Sequence, residues 1–156
     1  MFSYFQNIGR SLMIPVAVLP AAAILMGLGY WIDPDGWGSN NILAALLIKS
    51  GGAIIDHMPI LFAIGVAFGM SKDKSGNAAL TGLVGFLVVT TLLSTDVAAL
   101  LLGTDSVSPA FGKINNQFIG ILVGVIAAEL YNRYSTVQLP KALSFFSGKR
   151  IVPIIM

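Results

Sequence analysis

Between Leu12 and Trp31 the chain runs twenty residues without one charged side chain. Twenty residues rise ~30 Å as a helix, the thickness of a bilayer's hydrocarbon core. Nothing constrains the fold more, because backbone inside lipid must satisfy its own hydrogen bonds, and only helices and closed barrels do so. Pro15 and Pro20 interrupt the run, each removing a helix hydrogen bond, so the span is expected to kink. The run is too long for a signal-peptide core and lacks a clear cleavage site, so it reads as a retained helix.

The rest of the chain has the same character. Hydrophobic residues make up 56%, charged residues 10%, and mean hydropathy is +0.84. Soluble domains carry about 25% charged residues. The expected fold is therefore an all-α integral membrane protein, a polytopic helical bundle. Phe2, Phe5, Ile8 and Leu12 recur at helical spacing and suggest a short interfacial helix, followed by a first span over 12–28. Tyr30, Trp31 and Trp37 mark an aromatic belt, and Asp33-Pro34-Asp35-Gly36 is turn chemistry. As one straight helix, 41–70 would measure ~45 Å, too long for a span. Gly51-Gly52 and Pro59 are expected to divide it into an outer piece, 41–48, and a second span, 54–70. A third span covers 78–93, Thr95-Asp96 caps a short helix over 97–102, and a fourth span covers 115–131. Leu139, Leu143 and Phe146 share a helical face, a second interfacial helix with Pro140 in its first turn. Ile151 to Met156 opens a fifth segment only six residues long, so the chain reads as the N-terminal part of a longer protein.

Charge placement orients this arrangement. Seven of the nine basic residues (Arg10, Lys72, Lys74, Arg133, Lys141, Lys149, Arg150) fall on one side of four spans, leaving Lys113 and Lys49 on or near the other. By the positive-inside rule the N-terminus is cytoplasmic. Scattered basic residues make no stripe for a phosphate backbone, so nucleic acid is not an expected partner. With no cysteine and one histidine, His57, neither a thiolate nucleophile nor a multi-His metal site is available.

Chemistry-bearing candidates are few. Lys49, Asp56 and His57 form a polar cluster near the outer side, where ionisable groups near a span are costly and often functional; capping is the plainer reading. Gly65 with Gly69, and Gly120 with Gly124, have the spacing that lets helices approach closely, for packing first and for dimerisation or movement second. Glu129 and Arg133 are an i, i+4 pair in the favourable order. Lys149 and Arg150 precede the last apolar segment, as anchors or as a gate and partner contact. Nothing matches a Walker loop, a catalytic triad or a carboxylate pair, and no cofactor is implied.

Several stretches carry a resemblance. They are 9–22 (GRSLMIPVAVLPAA), 51–56 (GGAIID), 60–67 (ILFAIGVA), 131–134 (YNRY) and, most specific, 139–154 (LPKALSFFSGKRIVPI). In order and spacing they resemble the membrane (IIC) domain of the glucose and N-acetylglucosamine family of the phosphoenolpyruvate-dependent sugar phosphotransferase system. Residues 71–82 and 30–38 look more like the N-acetylglucosamine branch. The resemblance implies a homodimer of about ten-helix subunits in the bacterial inner membrane, with the present chain as the scaffold and dimerisation half. It also implies a sugar site in the C-terminal half, with His and Glu motifs that His57 does not match. A IIB domain, itself charged through IIA and HPr, phosphorylates the amino sugar or hexose. Gly148, Lys149 and Arg150 match the family's cytoplasmic motif, a gate or IIB contact, and no catalytic residue carries over. The rival readings are a non-catalytic membrane module and a secondary transporter of unrelated fold.

Overall fold

The computed structural model describes residues 2–136 and 148–156. Among these residues eight α-helices follow in order: α1 (Phe2–Val16), α2 (Leu19–Ile32), α3 (Ile42–Asp56), α4 (Met58–Met70), α5 (Gly76–Leu92), α6 (Thr95–Leu102), α7 (Gln117–Tyr134) and α8 (Val152–Ile155). Short 3-10 turns lie at Pro109–Lys113 and Gly148–Arg150. No strand occurs among the described residues. The chain divides into two compact units, Met13–Met58 and the combination of Met1–Leu12 with Pro59–Met156.

The smaller unit is a helical hairpin built on a seam of small residues. Ala22 on α2 and Ala44 on α3 are fully buried. A Cβ added at Gly51 would lie 2.7 Å from the Ala22 carbonyl oxygen, and one at Gly29 would lie 3.0 Å from the Ala44 carbonyl oxygen. Lipid tails are as apolar as leucine, so close backbone approach is what drives such packing. This corrects the expected break at Gly51-Gly52. α3 runs through both glycines to Asp56 and ends at His57, with Gly51 at a close contact with α2 rather than at a break. Asn41 caps α3, its side-chain oxygen accepting the Leu43 amide at 2.9 Å.

One carboxylate organises the hairpin loop. Asp33 accepts the amides of Gly36 at 2.9 Å, Asn40 at 3.0 Å and Gly38 at 3.1 Å. Trp37 is left-handed at φ 52°, an outlying conformation for so bulky a residue, and its ring meets Tyr30 edge-on at 5.6 Å. Gly38 follows at φ 92°, where any Cβ would be strained. The Asn40 amide, and behind it the Gly36 and Gly38 amides, hold the Asp33 carboxyl below its ordinary value of 3.8, while burial pushes the other way. A depressed folded-state value means the loop keeps this stabilisation above pH 3.8 and loses it as pH falls through the lowered value. Tryptophan emission of a Trp31→Phe protein, which leaves Trp37 as the reporter, is therefore expected to hold steady down to about pH 4 and change below it. In Asp33→Asn the emission should already be altered at pH 7 and should not respond to acid.

The larger unit packs α4, α5, α7 and α8 with the start of α1. One cluster joins Ala63, Phe86 and Val123; a second joins Val66, Met70 and Ala128. Ile8 and Leu12 pack on the second, so this part of the expected interfacial helix lies against the bundle, while Phe2 and Phe5 stay exposed. α1 meets α2 through Ala17 and Val18, a break flanked by Pro15 and Pro20 as their missing amides require. α6 begins at Thr95, with Ser94 at its N-cap and no side-chain cap bond, so Thr95 and Asp96 lie inside the helix. The Leu139, Leu143 and Phe146 face lies outside the described residues.

Taken together, α1 and α2 (Phe2–Ile32, 31 residues) make the one helical stretch among the described residues that is by itself long and apolar enough to cross a membrane. Counting the bent pairs α3 with α4 and α5 with α6 as single spans brings the number to three. α7, the expected fourth span, has 18 residues and rises ~27 Å, with Glu129, Asn132 and Arg133 in its last turns.

Candidate functional site

The longest-range polar contacts of the larger unit gather where the α4–α5 loop meets the end of α7. The loop is pinned from several directions. The Lys72 amide donates to Asn132 Oδ1 at 2.8 Å, and Asn132 Nδ2 donates to the Met70 carbonyl at 3.1 Å. Ser71 Oγ donates to the Phe68 carbonyl at 2.6 Å, while Lys74, left-handed at φ 51°, reaches back to the Gly69 carbonyl with its ammonium. Orphan carbonyls at the end of α4 are thereby satisfied. Ser75 then caps α5 by accepting the Asn77 amide at 3.2 Å.

Asp73 stands at the centre of this loop. Its Oδ2 accepts the Tyr131 hydroxyl at 2.8 Å and lies 2.7 Å from Lys149 Nζ. Tyr131 is only 1% exposed and packs with Ala78 and Val152, so the phenol reaches Asp73 from a fixed base. Lys149 sits in the three-residue turn Gly148–Arg150. Gly148 enters that turn at φ 69°, a conformation glycine adopts without strain. The Lys149 ammonium, and after it the Tyr131 hydroxyl, hold the Asp73 carboxyl below its ordinary value. Reciprocally, Asp73 raises the Lys149 ammonium. Beside them opens a cavity of about 370 Å³ lined by Lys72, Asp73, Tyr131, Asn132, Ser135 and Thr136.

The other sequence candidates fall elsewhere. Lys49, Asp56 and His57 are all exposed, and no ion pair joins them. His57 caps the end of α3, with Nδ1 2.8 Å from the Ala53 carbonyl oxygen. Gly120 and Gly124 face α4: a Cβ at Gly120 would strike the Pro59 carbonyl oxygen, and one at Gly124 would come within 2.9 Å of the Ala63 carbonyl oxygen. Gly65 and Gly69 are buried in α4. The expected Glu129–Arg133 ion pair does not form among the described residues; Glu129 instead interacts with the Tyr4 hydroxyl. An exposed i, i+4 pair contributes only about 0.3–0.5 kcal/mol, so a competing partner displaces it easily.

Asp73, Tyr131 and Asn132 were not named as site residues from sequence, although all three lie in stretches that carry the resemblance, 71–82 and 131–134. The available signal was slight: Asp73 is the lone acid between Lys72 and Lys74, on the side where basic residues collect.

A bundle of apolar helices joined along small-residue seams, with its ionisable contacts gathered at the helix ends, defines a helical membrane protein. The pattern of the family described as Phosphotransferase system, EIIC, matches residues 9–156, and the chain belongs to that family. It is 41% identical to the N-acetylglucosamine-specific EIIC component of Streptomyces coelicolor, covering all of this chain and 38% of that protein. Identity to the N-acetylglucosamine-specific EIICBA component of Escherichia coli K12 is also 41%, over 97% of this chain and 20% of that one. A glucose-specific EIICBA component of Staphylococcus saprophyticus is 34% identical, over all of this chain and 25% of its own length. The chain thus spans between a fifth and two fifths of these relatives. Membership removes the reading as a secondary transporter of unrelated fold.

Proposed function

We propose that the chain is the scaffold and dimerisation part of a permease that takes up N-acetylglucosamine, with glucose as the alternative sugar, and couples entry to phosphorylation. The observation that carries the sugar-permease reading is the match to EIIC components along nearly the whole chain, at higher identity to N-acetylglucosamine-specific relatives than to a glucose-specific one. The seven basic residues collected on one side support a cytoplasmic N-terminus in the bacterial inner membrane. Each unit has its own close helix seam, Gly29–Ala44 in the smaller and Gly120–Pro59 in the larger, and such packing supports a scaffold role. In this reading the sugar site and the phosphoryl transfer lie in other parts of the protein. Gly148, Lys149 and Arg150 serve the cytoplasmic face, as a gate or as the contact for the phosphorylated IIB domain, which receives its phosphoryl group through IIA and HPr.

Competition uptake tests the sugar assignment. In a host without permeases for these sugars, entry of labelled N-acetylglucosamine through the full-length protein should be blocked by unlabelled N-acetylglucosamine at far lower concentration than by glucose. The reverse order would move the protein to the glucose branch.

A further inference from the structure

Lys149 is held by a platform that does not depend on Lys149. The Asp73 loop is tied down by Asn132 on both sides, by Ser71 and by Lys74, and the buried Tyr131 hydroxyl bonds the same Oδ2 that Lys149 approaches. If the ammonium leaves, the carboxylate stays aimed. The ammonium itself is on a flexible four-carbon stem, and the two side chains of the pair are 48% and 40% exposed. An ion pair so open to water is screened and easily exchanged. Within the adjoining cavity, Lys72 offers a second ammonium, and Ser135 and Thr136 offer hydroxyls. Those donors suit a phosphoryl group.

We infer that Asp73 and Tyr131 are positioning residues for Lys149: they hold its ammonium ready beside a donor-lined cavity and release it to a phosphate-bearing group arriving from the cytoplasm. The inference rests on the reading of Lys149 as a cytoplasmic contact. It adds the fixed half of that contact, and it makes the Asp73–Lys149 pair a resting state that turnover must open. Asp73 and Tyr131 line the same cavity, but neither supplies the cation that a phosphate needs, and the Asp73 carboxylate would repel one. Their effect passes through Lys149.

The test is phosphoenolpyruvate-dependent uptake by the full-length protein carrying Lys149→Met, Asp73→Asn, Asp73→Glu, Tyr131→Phe, or the double Asp73→Asn/Lys149→Met. Lys149→Met and Asp73→Asn should each lower kcat by about ten- to a hundredfold with sugar KM unchanged, up to the scale expected when a contact group is misplaced by about 1 Å. Asp73→Glu should recover most of the loss, and the double variant should be no worse than either single one. Multiplied losses in the double variant would overturn the inference, because the two residues would then act separately. If Lys149→Met is impaired while Asp73→Asn is normal, positioning is wrong but the reading of Lys149 survives; if both are normal, both fall. Should Asp73→Asn not accumulate, Tyr131→Phe decides: lowered kcat at normal KM supports the inference, and parental kcat overturns it.

Discussion

Gly120→Val is expected to destroy the folded bundle, leaving no monodisperse protein in detergent. A Cβ at this position would overlap the Pro59 carbonyl oxygen, with the carbonyl carbon at 3.0 Å and the Pro59 Cα at 3.3 Å. All three are backbone atoms, so no side-chain rotation can make room, and α4 and α7 must separate. Overpacking a well-filled core typically costs about 1–3 kcal/mol; a clash against backbone, with β-branched bulk added, belongs at or beyond the top of that range. Gly52→Ala is the matched control. Nothing lies within 4 Å of a Cβ there, and replacing glycine inside a helix should stabilise by about 0.5–1 kcal/mol. Size-exclusion profiles and thermal melts of the two proteins check the contrast. Equal melts would show that the Gly120 seam carries no packing.

Tyr131→Ala is the second large effect. Tyr131 is the largest fully buried side chain among the described residues and closes the cluster of Ala78 and Val152. Truncating a buried aromatic costs about 3–5 kcal/mol, and here it also removes the hydroxyl that steadies Asp73. Tyr131→Phe keeps the ring and loses only that bond, so its melt should lie close to the parent while Tyr131→Ala melts far lower. A Tyr131→Ala melt as high as that of Tyr131→Phe would mean that the ring is dispensable and that Tyr131 acts through its hydroxyl alone.

What could be read from sequence followed from what lipid and backbone demand. The uncharged run Leu12–Trp31 required a helix, and Pro15 and Pro20 required its break, because both follow from local covalent chemistry. Gly51-Gly52 misled for a physical reason. Glycine weakens a helix in isolation, but between two lipid-embedded helices it permits the closest approach, and only the partner helix decides which effect wins. The Glu129–Arg133 pair failed similarly: spacing on one helix says nothing of Tyr4, which arrives from 125 positions away in the chain. Lys149 was legible through its motif. The contacts of Asp73 and Tyr131 with it were not, although both lie in stretches that carry the resemblance, since they meet Lys149 across 76 and 18 positions, and the alternation of Lys72, Asp73 and Lys74 reads as an ordinary solvated loop.

The chemical form in which sugar arrives inside the cell tests the account most directly. Labelled N-acetylglucosamine would be supplied to permease-deficient cells expressing the full-length protein, with and without phosphoenolpyruvate-driven phosphorylation, and the internal label resolved into free and phosphorylated sugar. The account predicts phosphorylated sugar, and almost none of any form once phosphoenolpyruvate is exhausted. Accumulation of free sugar that continues without phosphoenolpyruvate would contradict it.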